Sequence, residues 1–188
     1  MREVLNSVGA LLISAAILLA GGGLLSTLIS VRAGIENFPL LAIGAMTSAY
    51  FIGFISGCLV TPHLVKRVGH VRVFAALSSL IACAALAHVI FLNIPVWIIL
   101  RVITGFGFAG LYMLIESWMN ERASNESRGQ VLSIYRMVDL MAGTAGQFML
   151  LLAPANGFIL FSIGAIFVSL AILPISLSTS HAPMQITE

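Results

Sequence analysis

Apolar residues in this chain do not alternate along strands or keep to one helical face. They gather in six long runs, at Val8–Val31, Leu40–Thr61, Val73–Leu92, Val96–Trp118, Ser133–Ala153 and Gly157–Leu177. Each run reaches the roughly 20 residues a helix needs to cross the hydrocarbon core of a bilayer. Lipid offers no partner to a bare backbone N–H or C=O, so each run is expected to be helical. The pattern predicts an all-α integral membrane protein with six transmembrane helices over residues 1–177, followed by a cytoplasmic tail over 178–188. Pro39, Pro62, Pro95, Pro154 and Pro174 fall at or near the ends of runs, so no span is expected to carry a proline break. The fifth run is the least apolar, because Arg136 and Asp139 lie near its start. A secretory leader is the other reading of the first run. That run is longer than the roughly 7–15 apolar residues of a leader and no convincing cleavage site follows, so it is read as a retained span.

Composition agrees with a membrane setting: 60% of the 188 residues are hydrophobic and 9% are charged. Soluble domains average about 25% charged residues, the polar surface that keeps them in water. A net charge of +2 with no aromatic-interleaved basic stretch gives no reason to expect nucleic acid as a partner. Cys58 and Cys83 fall inside apolar runs and are expected to be small buried thiols. His63, His70, His88 and His181 have no ligand spacing, so no metal is expected. The chain lacks a Gly-x-x-x-x-Gly-Lys-Ser/Thr phosphate loop and a nucleophile–base pair, so neither a cofactor nor an enzymatic activity is read from it. Asn125-Glu-Ser127 fits a glycosylation acceptor but falls in an inner connection, where it is read as chance.

The basic residues set the orientation. With the N-terminus inside, Arg2, Lys66, Arg67, Arg72, Arg122, Arg128 and Arg136 lie on or near the cytoplasmic side. Only Arg32 falls in an outer connection, and Arg101 lies within a span, an asymmetry that follows the positive-inside rule. The outer connections Arg32–Pro39, Asn93–Pro95 and Pro154–Asn156 are short. They predict antiparallel pairs of spans 3 with 4 and 5 with 6.

Polar residues within the spans supply the candidate site. Arg101 lies about 9 Å along span 4 from its outer end. On the same helical face follow Thr104, Gly105, Phe108, Tyr112 and Glu116, a mixture suited to a cavity lining. The competing reading has Arg101 snorkelling to the outer headgroups. Span 5 carries Arg136, Asp139, Gly143 and Gln147 on one face, where Arg136 and Asp139 can pair. Gln147 and Tyr50 serve equally well as interhelical contacts or as solute contacts. Gly21-Gly22-Gly23 and Gly105-x-Gly107-x-x-Gly110 lie in the first helices of two three-helix halves. They hint at an inverted repeat, although close helix packing alone also selects glycine, as it does for Gly53-x-x-x-Gly57.

Between spans 2 and 3 stands Pro62-His-Leu-Val-Lys66-Arg67-Val-Gly69-His70-Val-Arg72. Arg67, Gly69 and Arg72 resemble the corresponding inner loop of the major facilitator superfamily, while Pro62 replaces its first glycine and Lys66 its usual aspartate. Arg101-Val-Ile-Thr104-Gly105-Phe-Gly107 is similar to the arginine and glycine run of that family's fourth span, with Thr104 in place of a frequent glutamine. Glu116-Ser-Trp-Met-Asn120, Arg128-Gly129 and Tyr135 resemble its YcaD-like bacterial branch.

The resemblance implies the N-terminal six-helix half of a secondary transporter, built as a 3+3 inverted repeat. Such a half works by alternating access with a C-terminal half in the bacterial plasma membrane, carrying a small solute and usually coupled to protons. Arg101, Thr104, Phe108, Tyr112, Gln147 and Tyr50 are then expected to line the solute cavity. Lys66, Arg67, Gly69, Arg72, Glu116, Arg136 and Asp139 are expected at a cytoplasmic gate, where the basic loop meets Glu116 and Asp139. Contact of those basic residues with anionic lipid is the competing reading. Two other classes remain: a complete six-span homodimeric transporter, and a non-transporting scaffold or sensor subunit.

Overall fold

The computed structural model describes residues 2–123 and 128–177. The tail and Asn125–Ser127 lie outside the described residues. Six main helices form: α1 (Arg2–Ile35), α2 (Leu40–Val68), α3 (His70–Ile90), α4 (Ile94–Arg122), α5 (Arg128–Phe148) and α6 (Ile159–Leu170). A 3-10 turn at Met149–Leu152 extends α5, and a short α7 (Leu173–Ser176) follows α6. Among the described residues, five helical stretches are long and apolar enough to cross a membrane: Val8–Ile35, Leu40–Val68, His70–Ile90, Ile94–Glu121 and Ile159–Ser176. α5 falls short because Arg136, Asp139 and Gln147 dilute its apolar residues.

The helices run past the predicted ends, and this corrects several expectations. α2 continues through Pro62 to Val68. The proline is therefore inside a helix, leaving the Cys58 carbonyl without its usual donor. What reads as an eleven-residue basic loop is one residue long: Gly69, at φ +87°, closes α2 through its N–H on the Val65 carbonyl, and α3 starts at His70. Only glycine takes that conformation without steric cost. Arg32 lies in the last turn of α1 rather than in a connection. It is buried, paired with Glu36 at 2.6 Å, and donates to the Ala155 carbonyl at 3.3 Å. Cys83 is exposed, because α3 packs through Leu77, Ile81, Ala85 and His88 on its opposite side.

Packing follows an internal symmetry. α1 packs on α5 and α6, α4 packs on α2 and α3, and α3 meets α6. Exchanging α1, α2 and α3 with α4, α5 and α6 leaves that set of partners unchanged, which is the expected 3+3 arrangement. The short link between α5 and α6 does not make them main neighbours. α6 packs on α1 and α3 and reaches α5 at its 3-10 extension.

Glycine makes both long seams. A Cβ placed on Gly105 would overlap the Tyr50 carbonyl, and one on Gly53 the Val102 carbonyl. Across the other seam, a Cβ on Gly23 would overlap the Gly143 carbonyl, and one on Gly146 the Ala20 carbonyl. The pairs correspond: Ala20 and Gly23 in α1 have the spacing of Val102 and Gly105 in α4, and Tyr50 and Gly53 in α2 that of Gly143 and Gly146 in α5. Lipid supplies no hydrophobic drive to push helices together, so backbone approach at small residues carries the association.

Candidate functional site

Four helices enclose a cavity of ≈ 220 Å³, with one residue of α3, Ala85, completing its wall. α4 contributes Arg101, Thr104, Phe108 and Tyr112, each three or four positions after the last, so one helical face supplies all four. α2 contributes Tyr50, and α5 contributes Asp139, Gly143 and Gln147. All six residues named for a solute cavity thus lie around one space. Gly105 does not, since its open side is taken by the Tyr50 carbonyl.

Arg101 does not extend to the helix end. Its guanidinium sits 4.4 Å from the centre of the Tyr50 ring, within the range of a cation–π contact. The Thr104 hydroxyl is committed to its own helix, donating to the Arg101 carbonyl at 3.1 Å. Phe108 and Tyr112 pack at 5.8 Å between ring centres, with Phe54 6.4 Å from Tyr112. Phe108 and Tyr112 give the cavity an aromatic lining on the same face of α4 as Arg101. Replacing Tyr50 by leucine is expected to lower the thermal midpoint in detergent, while Tyr50→Phe keeps it, because the ring face rather than the hydroxyl meets Arg101. The contact corresponds to about 0.5–2 kcal/mol. Equal midpoints for the two variants would refute the pairing.

α1 forms a further side of the cavity, as the family resemblance implies for span 1, although no α1 residue was named among the cavity candidates. Leu19, Gly22, Ser26 and Ile29 line it at helical spacing. Gly22 belongs to the glycine cluster noted in the sequence, and Ser26, one turn on, is the polar residue that no charged neighbour announces.

The expected gate residues separate into two groups. Arg136 donates to Asp139 at 3.1 Å and lies 3.8 Å from Glu116 on α4. Glu116 and Arg136 line a second, more open cavity with Phe54, Cys58 and Tyr112, whereas Asp139 lines the first. Lys66, Arg67 and Arg72 surround the Gly69 turn. Among the described residues they form no ion pair with Glu116 or Asp139, contrary to the predicted cluster. Arg136 holds that place because it projects from α5 directly between the two carboxylates.

The chain matches the Major Facilitator Superfamily over residues 11–185. It belongs to that family. Three bacterial members of the superfamily, each named only as an uncharacterised MFS-type transporter, are similar to it. One from Enterobacter sp. (strain 638) is 30% identical over 132 residues, covering 70% of this chain and 35% of the relative. YcaD of Salmonella newport (strain SL254) and YcaD of Salmonella typhimurium (strain LT2) are each 30% identical over 133 residues, covering 71% of this chain and 34% of theirs. The chain is therefore a YcaD-like superfamily member that spans about a third of the length of these curated relatives. Its multiple apolar helices make it a multi-pass membrane protein.

Proposed function

We propose that this chain is the N-terminal six-helix half of a secondary transporter that carries a small polar solute across the bacterial inner membrane by alternating access. The observation that carries this reading is the single cavity between α1, α2, α4 and α5, where Arg101, Asp139 and Gln147 meet Tyr50, Phe108 and Tyr112. Ionisable groups at membrane depth are costly to keep unless they line a pathway or contact a solute. In this reading α5 also crosses the membrane and brings the crossings to six, its apolar deficit offset by packing along α1, and both termini are cytoplasmic. Rocking against a second six-helix unit, either the C-terminal half or a second copy, exposes the cavity to each side in turn. Asp139 is the cavity's carboxylate and the natural carrier for a coupled proton. The Arg136–Asp139–Glu116 set acts as the inner gate, with Arg136 changing partners.

The test is uptake of a panel of labelled small polar solutes into proteoliposomes under an imposed proton gradient. The chain is reconstituted alone and fused to the C-terminal part of a YcaD relative. A control comes from Gly143, where an added Cβ meets nothing within 4 Å and projects into open space. Gly143→Phe is expected to fill the cavity and abolish gradient-driven uptake while keeping the thermal midpoint. No uptake from either form of the chain, or uptake unchanged by Gly143→Phe, would overturn the assignment.

A further inference from the structure

A third cavity, of ≈ 230 Å³, lies between α2, α3 and α4 at the Gly69 end of the bundle, and the transport reading makes no use of it. Its polar lining is Thr61, Lys66, His70 and Ser117, set among apolar residues including Val65 and Met113. The hydrogen-bonding groups around it are donors in excess. Thr61 is fully buried and its hydroxyl has no partner, although a buried hydroxyl left unpaired is costly. Trp118 is 2% exposed and stacks on the His70 ring at 5.5 Å between centres, and its indole N–H is likewise unpartnered. Among the described residues, no carboxylate lines the cavity. Glu121 lies near enough to act electrostatically on His70 but is not part of the wall.

The adjoining backbone points the same way. α3 begins at His70 behind Gly69 with no side-chain cap, so the first-turn N–H groups have no partner within the helix and present its positive end. His63, Arg67 and Arg72 are exposed around the same turn and lie outside the cavity wall. Close by on α2, Leu59, Val60 and Val68 are exposed apolar residues of the kind that face acyl chains. A cation, buried donors and a helix N-terminus beside an apolar surface suit an amphiphile with a phosphate head.

We propose that this cavity holds the phosphate of an anionic phospholipid, with Lys66, His70, Ser117 and Thr61 around the headgroup and its acyl chains against α2. The site is separate from the transport cavity, and its occupancy does not depend on that reading.

The experiment measures phospholipid retained by the purified full chain after detergent washing. The chain is first equilibrated with mixed micelles of phosphatidylglycerol or of phosphatidylcholine. Wild type is expected to retain phosphatidylglycerol several-fold over phosphatidylcholine. Lys66→Gln should lower that retention roughly five-fold, the factor that corresponds to losing one lysine near an anionic lipid surface. Thr61→Val should lower it without reducing the thermal midpoint. Arg72→Gln, on the same turn but outside the lining, should leave it near wild type. Equal retention of the two lipids would overturn the site. So would a loss in Arg72→Gln matching that in Lys66→Gln, since that describes a diffuse basic surface. Displacement of bound phosphatidylglycerol by inorganic phosphate alone would assign the cavity to a free anion and overturn the lipid.

Discussion

Gly105→Leu is expected to lower the thermal midpoint in detergent by more than any other single substitution along α4, and to disorder the cavity with it. The obstacle to a side chain at Gly105 is the Tyr50 carbonyl, with the backbone of Phe54 close by. Backbone within a helix cannot turn aside as a flexible side chain does, so α2 and α4 must separate. Overpacking a well-filled interior costs about 1–3 kcal/mol when neighbouring side chains give way, and here they cannot. The same displacement carries Tyr50 away from Arg101, so the cavity loses its cation–π contact together with the seam. Gly44 is the control, since a Cβ there meets nothing within 4 Å. Gly44→Ala should hold or raise the midpoint, helix propensity favouring alanine by up to about 1 kcal/mol. Differential scanning fluorimetry on the two variants decides the matter, and a Gly105→Leu protein as stable as Gly44→Ala would refute the seam.

The second large effect is expected at Asp139. Asp139→Asn keeps the shape of the side chain but removes the charge that holds Arg136 at 3.1 Å. Arg136 is exposed over 66% of its side chain and Asp139, half-buried, over 30%. An exposed ion pair adds at most about 1 kcal/mol to stability, so insertion and thermal midpoint should stay near wild type. Transport should not. The same interaction, worth at most about 1 kcal/mol when exposed, corresponds as a loss at the gate to a fall in uptake of up to about five-fold. Glu116→Gln should have the smaller effect, because its contact with Arg136 is the longer one at 3.8 Å. Undiminished uptake by a well-inserted Asp139→Asn protein would remove Asp139 from the proposed gate.

The helices and the cavity were legible in the sequence for different reasons. Runs of apolar residues mark helices because lipid forbids any other backbone state, and Arg101, Thr104, Phe108 and Tyr112 share a face by arithmetic alone. Helix ends were less legible. Hydropathy marks where apolar character stops, but α2 continues for more than a turn past Thr61 on residues suited to the membrane surface, and only the positive φ of Gly69 ends it. The partner of Asp139 and Glu116 was misread because charge complementarity does not say which cation is nearest. Lys66, Arg67 and Arg72 are close to one another in sequence, but Arg136 is close in space. Arg32 was read as a topology marker, whereas it ties the end of α1 to the link before α6 through the Ala155 carbonyl. Nothing in its neighbours along the chain announces a contact so distant in sequence.

Among the described residues, Tyr112 is the one that lines both the enclosed cavity of Arg101 and the more open one of Glu116. It therefore stands at the boundary shared by the two cavities, packed against Phe108 and Phe54. A ring so placed moves by rotation about side-chain bonds, an event orders of magnitude faster than the sliding or tilting of whole helices. In the proposed transport reading, the slow step of passage between the two cavities then resides in the helices that frame the ring, and the ring follows them.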